Sequence, residues 1–418
     1  MFRVAAVYCN KEAGLPCEKT GVARAFAFTV TSAMRRTLAL FQQALKSSSS
    51  LPERTRPLLE HLTPPRRPLK GTGTNTVSQA LKWATPPRNV LLVNKDDDRV
   101  RNSLVTLAQH LHDTYPGVNI LLEPSASETL RQALPYAYTF ENISDLHRTC
   151  DAVITLGGDG TILHAASLFS TTKVPPILSF SLGTLGFLLP FNFRDFREAW
   201  EDMYHGRARV LRRMRIGCRA FTSTGIPITR GVFGEGGAGM IQQAMNEVNL
   251  HRGREPHLTL LEIYADNKFV TEAVADGLIV ATPTGSTAYN LSAGGPIVHP
   301  GVDALMLTPI CPRSLSFRPM IFPTSTRLQL RLSEKSRGAA EVSMDGRMAC
   351  VLNQGEYLEI GVGDGLGIAH KEGEESEDRG GILCVGRGED DGWVQDVNEL
   401  LRWNQSFQGR TLAHGNGE

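Results

Sequence analysis

At 418 residues, with 41% hydrophobic residues and a formal net charge of +1, the chain can bury a large core, most naturally in two domains, and carries no overall bias toward polyanions such as nucleic acid. No apolar run reaches membrane-spanning length, so no membrane partner is expected. The seven cysteines are scattered, without a Cys-x-x-Cys pair, which points to a reducing compartment and no structural zinc.

Residues 1–88 read as a leader and linker, largely disordered. Proline recurs at Pro52, Pro57, Pro64, Pro65, Pro68, Pro86 and Pro87 among Thr, Ser and Arg, a composition that cannot pack a core. Within this stretch Met34, Leu38, Phe41 and Leu45 fall at helical spacing with Arg35 and Arg36 between them, and no acid lies between Glu18 and Glu53. Amphipathic, arginine-bearing and acid-poor composition is that of a mitochondrial transit peptide, with a disordered tail as the alternative. Glu12, Glu18 and two cysteines interrupt the earlier residues, so Met34 is expected as a used start site.

From residue 89 the pattern alternates. Residues 89–93 form a strand, 99–115 a helix with Leu104, Leu107, Ala108 and Leu111 inward, and 119–122, 151–156 and 177–181 three further strands. This βαβ order implies a Rossmann-like parallel sheet over residues 89–208, with ligands at the carboxyl ends of its strands. A helix around 195–203 follows. The period then shifts to two: Met214, Ile216, Cys218 and Ala220 alternate with Arg213, Arg215, Gly217 and Arg219, a half-buried strand. Residues 258–265 and 268–275 flank Asp266-Asn267 as a hairpin, and short strands recur near Arg327, Ala340, Ala349 and Tyr357. Residues 209–384 therefore make a second, mainly β, sandwich-like domain. Glycine-dense residues 231–239 and charged residues 371–379 read as solvated loops, with closure over substrate as the alternative for the former. Residues 381–385 read as a strand and 393–403 as an amphipathic helix.

The most informative motif is Gly157-Gly158-Asp159-Gly160-Thr161, between the apolar run Val153-Ile154-Thr155-Leu156 and a helix start. Three glycines let backbone N–H groups and the positive end of the helix approach a phosphate. Asp159 would repel that phosphate, so it requires a reason: a bridging Mg²⁺, or a hydroxyl whose proton it accepts. A plainer reading makes the run a tight turn in which Asp159 caps the helix. A second motif, residues 276–300, carries Asp276-Gly277, then the hydroxyl-rich Thr284, Ser286 and Thr287, then Tyr289 and Ser292, a surface suited to an adenine edge and a ribose.

With Asn246-Glu247, these motifs in this order resemble the NAD kinases, which phosphorylate the adenosine ribose 2′-hydroxyl of NAD. Residues 307–319 and Ser343-Met344-Asp345-Gly346-Arg347 resemble later signatures of that family, so the likeness spans residues 90–405. The resemblance implies ATP and Mg²⁺ as cofactors, NAD⁺ or NADH as substrate, and Asp159 as catalytic residue. It further implies Gly157, Gly158, Gly160 and Thr161 at the phosphates. Asn246, Glu247, Asp276, Thr287, Ala288, Tyr289, Ser292 and Phe187 fall at the dinucleotide. No protein-held metal site is expected. It implies a homo-oligomer, dimer or tetramer, and a C-terminal segment (385–418) that returns to the first domain. The tail resembles that of the mitochondrial NADH-kinase branch, so NADH preference and the mitochondrial matrix are the sharpest expectations, with a cytoplasmic enzyme as alternative. Two other functions share features of this pattern: a diacylglycerol- or sphingosine-type lipid kinase, which has the same glycine loop, and a non-catalytic NAD sensor.

Overall fold

The computed structural model describes residues 65–66, 68 and 78–402, apart from 184, 235–238, 255, 364–380 and 389–391. The amphipathic segment 34–46 and the charged run 371–379 lie outside the described residues. The strands in chain order are β1 Ser78–Ala80, β2 Asn89–Asn94, β3 Asn119–Leu122, β4 Ala152–Leu156, β5 Ile177–Ser181, β6 Phe191–Asn192 and β7 Arg209–Arg213. After these come β8 Ile216–Phe221, β9 Gln242–Ala244, β10 Glu247–His251, β11 Thr259–Ala265, β12 Lys268–Ala275, β13 Gly277–Ala281 and β14 Ala304–Ile310. The last are β15 Met320–Pro323, β16 Leu328–Leu332, β17 Ala340–Met344, β18 Arg347–Leu352, β19 Tyr357–Gly361 and β20 Ile382–Gly386. The helices are α1 Asp98–Thr114, α2 Pro124–Thr129, α3 Ile143–Thr149, α4 Asp159–Ser167, α5 Phe196–Tyr204, α6 Tyr289–Ser292 and α7 Trp393–Leu400.

The first domain is a sheet in the order β1-β7-β20-β5-β4-β2-β3, with β6 beside β5. Its centre is parallel, β3-β2-β4-β5, and both faces are covered. Leu104, Leu107, Ala108 and Leu111 of α1, together with Phe196 and Trp200 of α5, pack on one face. Ile162, Ala165 and Ala166 of α4 pack on the other. Strands buried on both faces are why residues 89–94 and 152–156 read as continuous apolar runs. The order reverses between β2 and β4, and at such a switch point the two following loops part and leave a crevice at the strands' carboxyl ends. The Gly157 loop follows β4, and Lys95 follows β2.

The second domain is a sandwich of two antiparallel sheets, β15-β14-β13-β10-β17-β18 and β12-β11-β16-β19-β8-β9. Leu250, Leu261, Leu278, Leu330, Leu358 and their neighbours fill the space between. Asp266 and Asn267 both adopt positive φ (49° and 63°), the paired left-handed conformation that a two-residue hairpin requires, between β11 and β12.

Three expectations need adjustment. The ordered structure begins within the leader region: β1 pairs with β7, and Leu81 is buried. Residues 231–234 are not a solvated loop but a packed turn carrying buried Phe233. A Cβ on Gly231 would lie 1.9 Å from the Ala349 carbonyl. The arginine face of residues 213–219 does not look into solvent either, because the chain crosses there from one domain to the other. Arg215 is 3% exposed and donates to the Phe169 and Thr172 carbonyls at 3.0 and 2.9 Å. The C-terminal return to the first domain is made by β20, parallel to β5 and antiparallel to β7, while the Trp393 ring of α7 packs on His299 of the second domain.

Candidate active site

Gly157 has φ +154°, and a Cβ there would sit 2.2 Å from Thr161 Oγ1 and 3.3 Å from the Lys95 side chain, so the turn closes only around glycine. Thr161 is buried beneath it. Gly158, the N-cap of α4, and Gly160 face open space, where a Cβ would meet nothing within 4 Å. The outer rim of the loop is therefore bare backbone at a helix N-terminus, the geometry that receives a phosphate. Lys95, exposed beside the loop, is a cation that the sequence reading passed over; a basic residue directly after a strand of a parallel sheet is the signal that could have found it.

Asp159 does not cap its own helix. Its carboxylate turns to the segment after β5, where it accepts from the Leu188 N–H at 3.1 Å and from Phe187 N–H. That segment wraps so closely that a Cβ on Gly186 would lie 2.3 Å from Asp159 Oδ1. Burial pushes the Asp159 carboxyl above the usual range. The two N–H groups and the nearby Arg213 guanidinium oppose the rise without cancelling it. Phe187 is half-buried, and its backbone and ring both take part: the N–H serves Asp159, the carbonyl accepts from Arg213 at 3.1 Å, and the side chain lines a narrow cleft.

The second-domain motifs meet because they lie at one end of three adjacent strands. Glu247 opens β10 opposite Ala281, which closes β13, while Val248 pairs with Met344, near the end of β17. Asn246-Glu247, the turn after Ala281 and the Asp345-Gly346 turn are thereby stacked together. Gly285 is obligatory, since a Cβ would lie 2.1 Å from the Asn246 carbonyl. Met245 packs into the first-domain core among Ile162, Ala165 and Phe169, which fastens this end of the sandwich over α4.

Asp345 is the organising residue that sequence reading left unassigned. At φ +48° in the β17–β18 turn, its carboxylate accepts from the N–H groups of Met245 (2.8 Å), Asn246 (2.7 Å) and Glu247 (3.3 Å). Two residues on, Arg347 donates to Ser167 Oγ at 2.6 Å and to His164 Nδ1 at 2.5 Å, which leaves the His164 Nε2–H to donate to Glu123 at 2.8 Å. One turn thus holds both the Asn246-Glu247 pair and the helix of the phosphate loop.

Glu247 is 6% exposed, accepts from the Tyr289 N–H, and has an Oε2 with no hydrogen-bond partner. Burial, reinforced by the Asp345 charge, pushes its carboxyl up to about 7. Three N–H donors favour the Asp345 anion, so of these two carboxyls Glu247 is the one that holds the proton. An unpartnered buried carboxyl oxygen is costly and fits a ligand hydroxyl.

The remaining residues of the motif divide. Thr287 and Ala288 are half-buried on the turn, and Tyr289 is 38% exposed. Burial, then Cys311, Asp276 and Glu247, raise the Tyr289 phenol, so that ring stands beside both carboxylates. Asp276 also forms an ion pair with Arg252 at 2.7 Å. Ser292 is exposed at the far end of α6. Ser286, read as a pocket donor, is buried instead and bonds to the Val298 carbonyl and N–H at 3.1 Å. Asn290, also missed, is fully buried and ties the turn to Pro296 and Thr308. Thr284 and Thr287 share the narrow cleft with Phe187 and Arg213, which joins the two halves of the site.

A glycine loop of bare backbone at a sheet switch point, with a largely buried carboxylate beside it and the second-domain motifs stacked over its helix, is the architecture of a nucleotide-dependent phosphotransferase. Residues 90–208 match the ATP-NAD kinase N-terminal domain, and residues 245–366 match the ATP-NAD kinase C-terminal domain. The mitochondrial NADH kinase pos5 of Schizosaccharomyces pombe is 42% identical over 370 residues, covering 88% of this chain and 87% of the relative. The mitochondrial NADH kinase POS5 of Saccharomyces cerevisiae is 38% identical over 363 residues, 80% and 85% of the respective chains. A crystal structure of yeast NADH kinase complexed with NADH superposes with a TM-score of 0.73 at 36% identity, covering 85% of this chain and 99% of that one. The chain belongs to the ATP-NAD kinase family and is an ATP-dependent NAD(H) kinase. The family sets aside the lipid-kinase and sensor alternatives.

Proposed function

We propose that this kinase acts mainly on NADH in the mitochondrial matrix, producing NADPH, with Asp159 as the residue that receives the substrate proton. The reading rests on one observation above all: the Asp159 carboxylate is turned away from its own helix and held by the Leu188 and Phe187 N–H groups beside the phosphate loop. In the reaction the ribose 2′-oxygen bonds to the γ-phosphorus, the bond from that phosphorus to the β,γ-bridging oxygen breaks, the hydroxyl proton passes to Asp159, and ADP leaves. Because phosphoryl transfer has a loose transition state, Asp159 mainly orients the hydroxyl and takes its proton late. Gly157, Gly158, Gly160 and Thr161 form the ATP phosphate loop. Asn246 and Glu247 receive ribose hydroxyls, Glu247 through its unpartnered Oε2, while Asp276, Thr287, Ala288, Tyr289, Ser292 and Phe187 line the rest of the dinucleotide path.

Among the described residues no group of three or more His, Cys, Asp or Glu is placed to hold a metal ion. Mg²⁺ would come in on the ATP phosphates, whose charge it would neutralise, with Asp159 the carboxylate within the loop. NADH preference and the matrix location are supported by the likeness to relatives named mitochondrial NADH kinases and by the acid-poor amphipathic segment 34–46. Family resemblance supports assembly as a homo-oligomer, a dimer or tetramer.

The deciding experiment supplies the purified chain with ATP and Mg²⁺ and compares NADPH formed from NADH with NADP⁺ formed from NAD⁺. Faster conversion of NADH is expected; preference for NAD⁺ would overturn that part. Asp159→Asn should fold normally and lose ~10²–10⁴-fold in kcat. Near-normal turnover would remove Asp159 from the mechanism.

A further inference from the structure

Arg213 ends β7, the last first-domain strand before the chain crosses into β8 of the second domain. Its guanidinium fork reaches into both halves of the site. One terminal nitrogen donates to the Phe187 carbonyl at 3.1 Å, in the segment that cradles Asp159, and the other to Thr284 Oγ1 at 3.4 Å, in the turn stacked on Asn246. Its Nε is buried without a hydrogen-bond partner, and the titratable groups that face the guanidinium are the Asp159 carboxyl and the Cys384 thiol of β20. Its charge favours the ionised form of the Asp159 carboxyl, and this points to a task beyond packing.

We propose that Arg213 is a positioning residue for phosphoryl transfer: its fork ties the Asp159 cradle to the Thr284 turn across the hinge, fixing the separation at which the substrate hydroxyl and the phosphate loop meet. The inference rests on the reading of Asp159 as proton acceptor. Geometry supports it in two ways. The Phe187 carbonyl that Arg213 holds belongs to the same short segment as the Leu188 N–H that holds Asp159, so losing the arginine loosens the carboxylate. Thr284 belongs to the turn that Gly285 presses against Asn246, so the same loss loosens the dinucleotide side. Misplacing reacting groups by about 1 Å costs on the order of 10²-fold in rate. Arg213 is also the charged side chain acting on Asp159. The segment from Gly186 to Leu188 offers that carboxylate only N–H groups, and Lys95 stands against Gly157 instead.

The test is steady-state kinetics and pH profiles of Arg213→Gln, Arg213→Lys and Thr284→Val, with folding followed by circular dichroism. Arg213→Gln should lower kcat by ~10–10²-fold and raise the KM for NADH by a smaller factor, with the KM for ATP within about threefold of the parent. Its acid limb should move to higher pH, because Asp159 loses the cation that favours its charged form. Arg213→Lys should restore part of the limb shift but not the fork-dependent rate. Should Arg213→Gln fail to fold, Thr284→Val removes one arm of the fork and should show a smaller loss of kcat. In an Asp159→Asn background, adding Arg213→Gln should cost less than about threefold more. Unchanged kcat in folded Arg213→Gln, a loss confined to the KM for ATP with an unmoved limb, or full additivity with Asp159→Asn would each overturn the proposal. Normal turnover in Asp159→Asn alone would instead overturn the Asp159 reading, and this inference with it.

Discussion

Replacing Glu247 with glutamine should make the ligand-free protein more stable at alkaline pH while impairing its function. In the folded chain, burial and the Asp345 charge raise the Glu247 carboxyl from its ordinary 4.5 to about 7. At 1.36 kcal/mol for each tenfold change in proton affinity, this corresponds to ~3 kcal/mol. Between those two pH values the native state keeps a proton that the unfolded chain releases, so native stability falls as pH rises through that window. The full deficit is present above about pH 7 and absent below about pH 4.5. Glutamine carries no charge at either extreme, and its amide can donate toward the Asp345 carboxylate. Its own burial recovers less than the whole, so the expected gain at pH 8 is ~1–3 kcal/mol, shrinking toward zero at pH 5. Urea unfolding of both proteins without ligand, at the two pH values, measures the gain. On the proposed reading, in which Glu247 receives a ribose hydroxyl, the KM for NADH should rise about tenfold or more. An equal stability difference at the two pH values, or a variant less stable at pH 8, would refute the argument that Glu247 is strained by its own ionisation.

Other expectations follow from the same geometry. Gly158→Ala should fold as the parent does, because its Cβ meets no protein atom, yet weaken ATP use by an order of magnitude if phosphate occupies that space; Gly157→Ala should instead lower the melting temperature, through contact with Thr161. Asp345→Asn should raise the KM for NADH and cost ~2–4 kcal/mol in thermal unfolding, since an amide cannot accept from three N–H groups and turns donors toward them. Gly285→Ala should reduce NADH binding more than ATP binding, because its Cβ pushes on the Asn246 carbonyl; equal effects on both ligands would contradict the placement.

Much of the candidate site was legible in the sequence because its parts are local. A glycine run between an apolar strand and a helix start has few uses, and Asp159 within it needed explaining before any fold was known. Asp345 was not singled out as a site residue because its partners lie about a hundred residues earlier, and an Asp-Gly turn between strands looks like any hairpin. Ser286 and Thr287 look alike in the sequence. Only the packing of the turn decides that the Ser286 hydroxyl is buried against Val298 while Thr287, its hydroxyl donating to the Thr284 carbonyl, borders the cleft.

The sequence by itself determined the α/β order of the first domain, the β-rich second domain, the Asp266-Asn267 hairpin and the glycine turn before Thr161, because each depends on periodicity or backbone freedom over a few residues. Tertiary structure decided which charges matter. Arg213, Arg215 and Arg219 alternate identically along one chain segment. Yet Arg215 is sealed against two carbonyls, Arg219 donates to Glu359 within the sandwich sheet, and Arg213 reaches across the cleft. Periodicity assigns a side chain to a face of its strand. What that face meets depends on how two domains, joined at this crossing, close on each other.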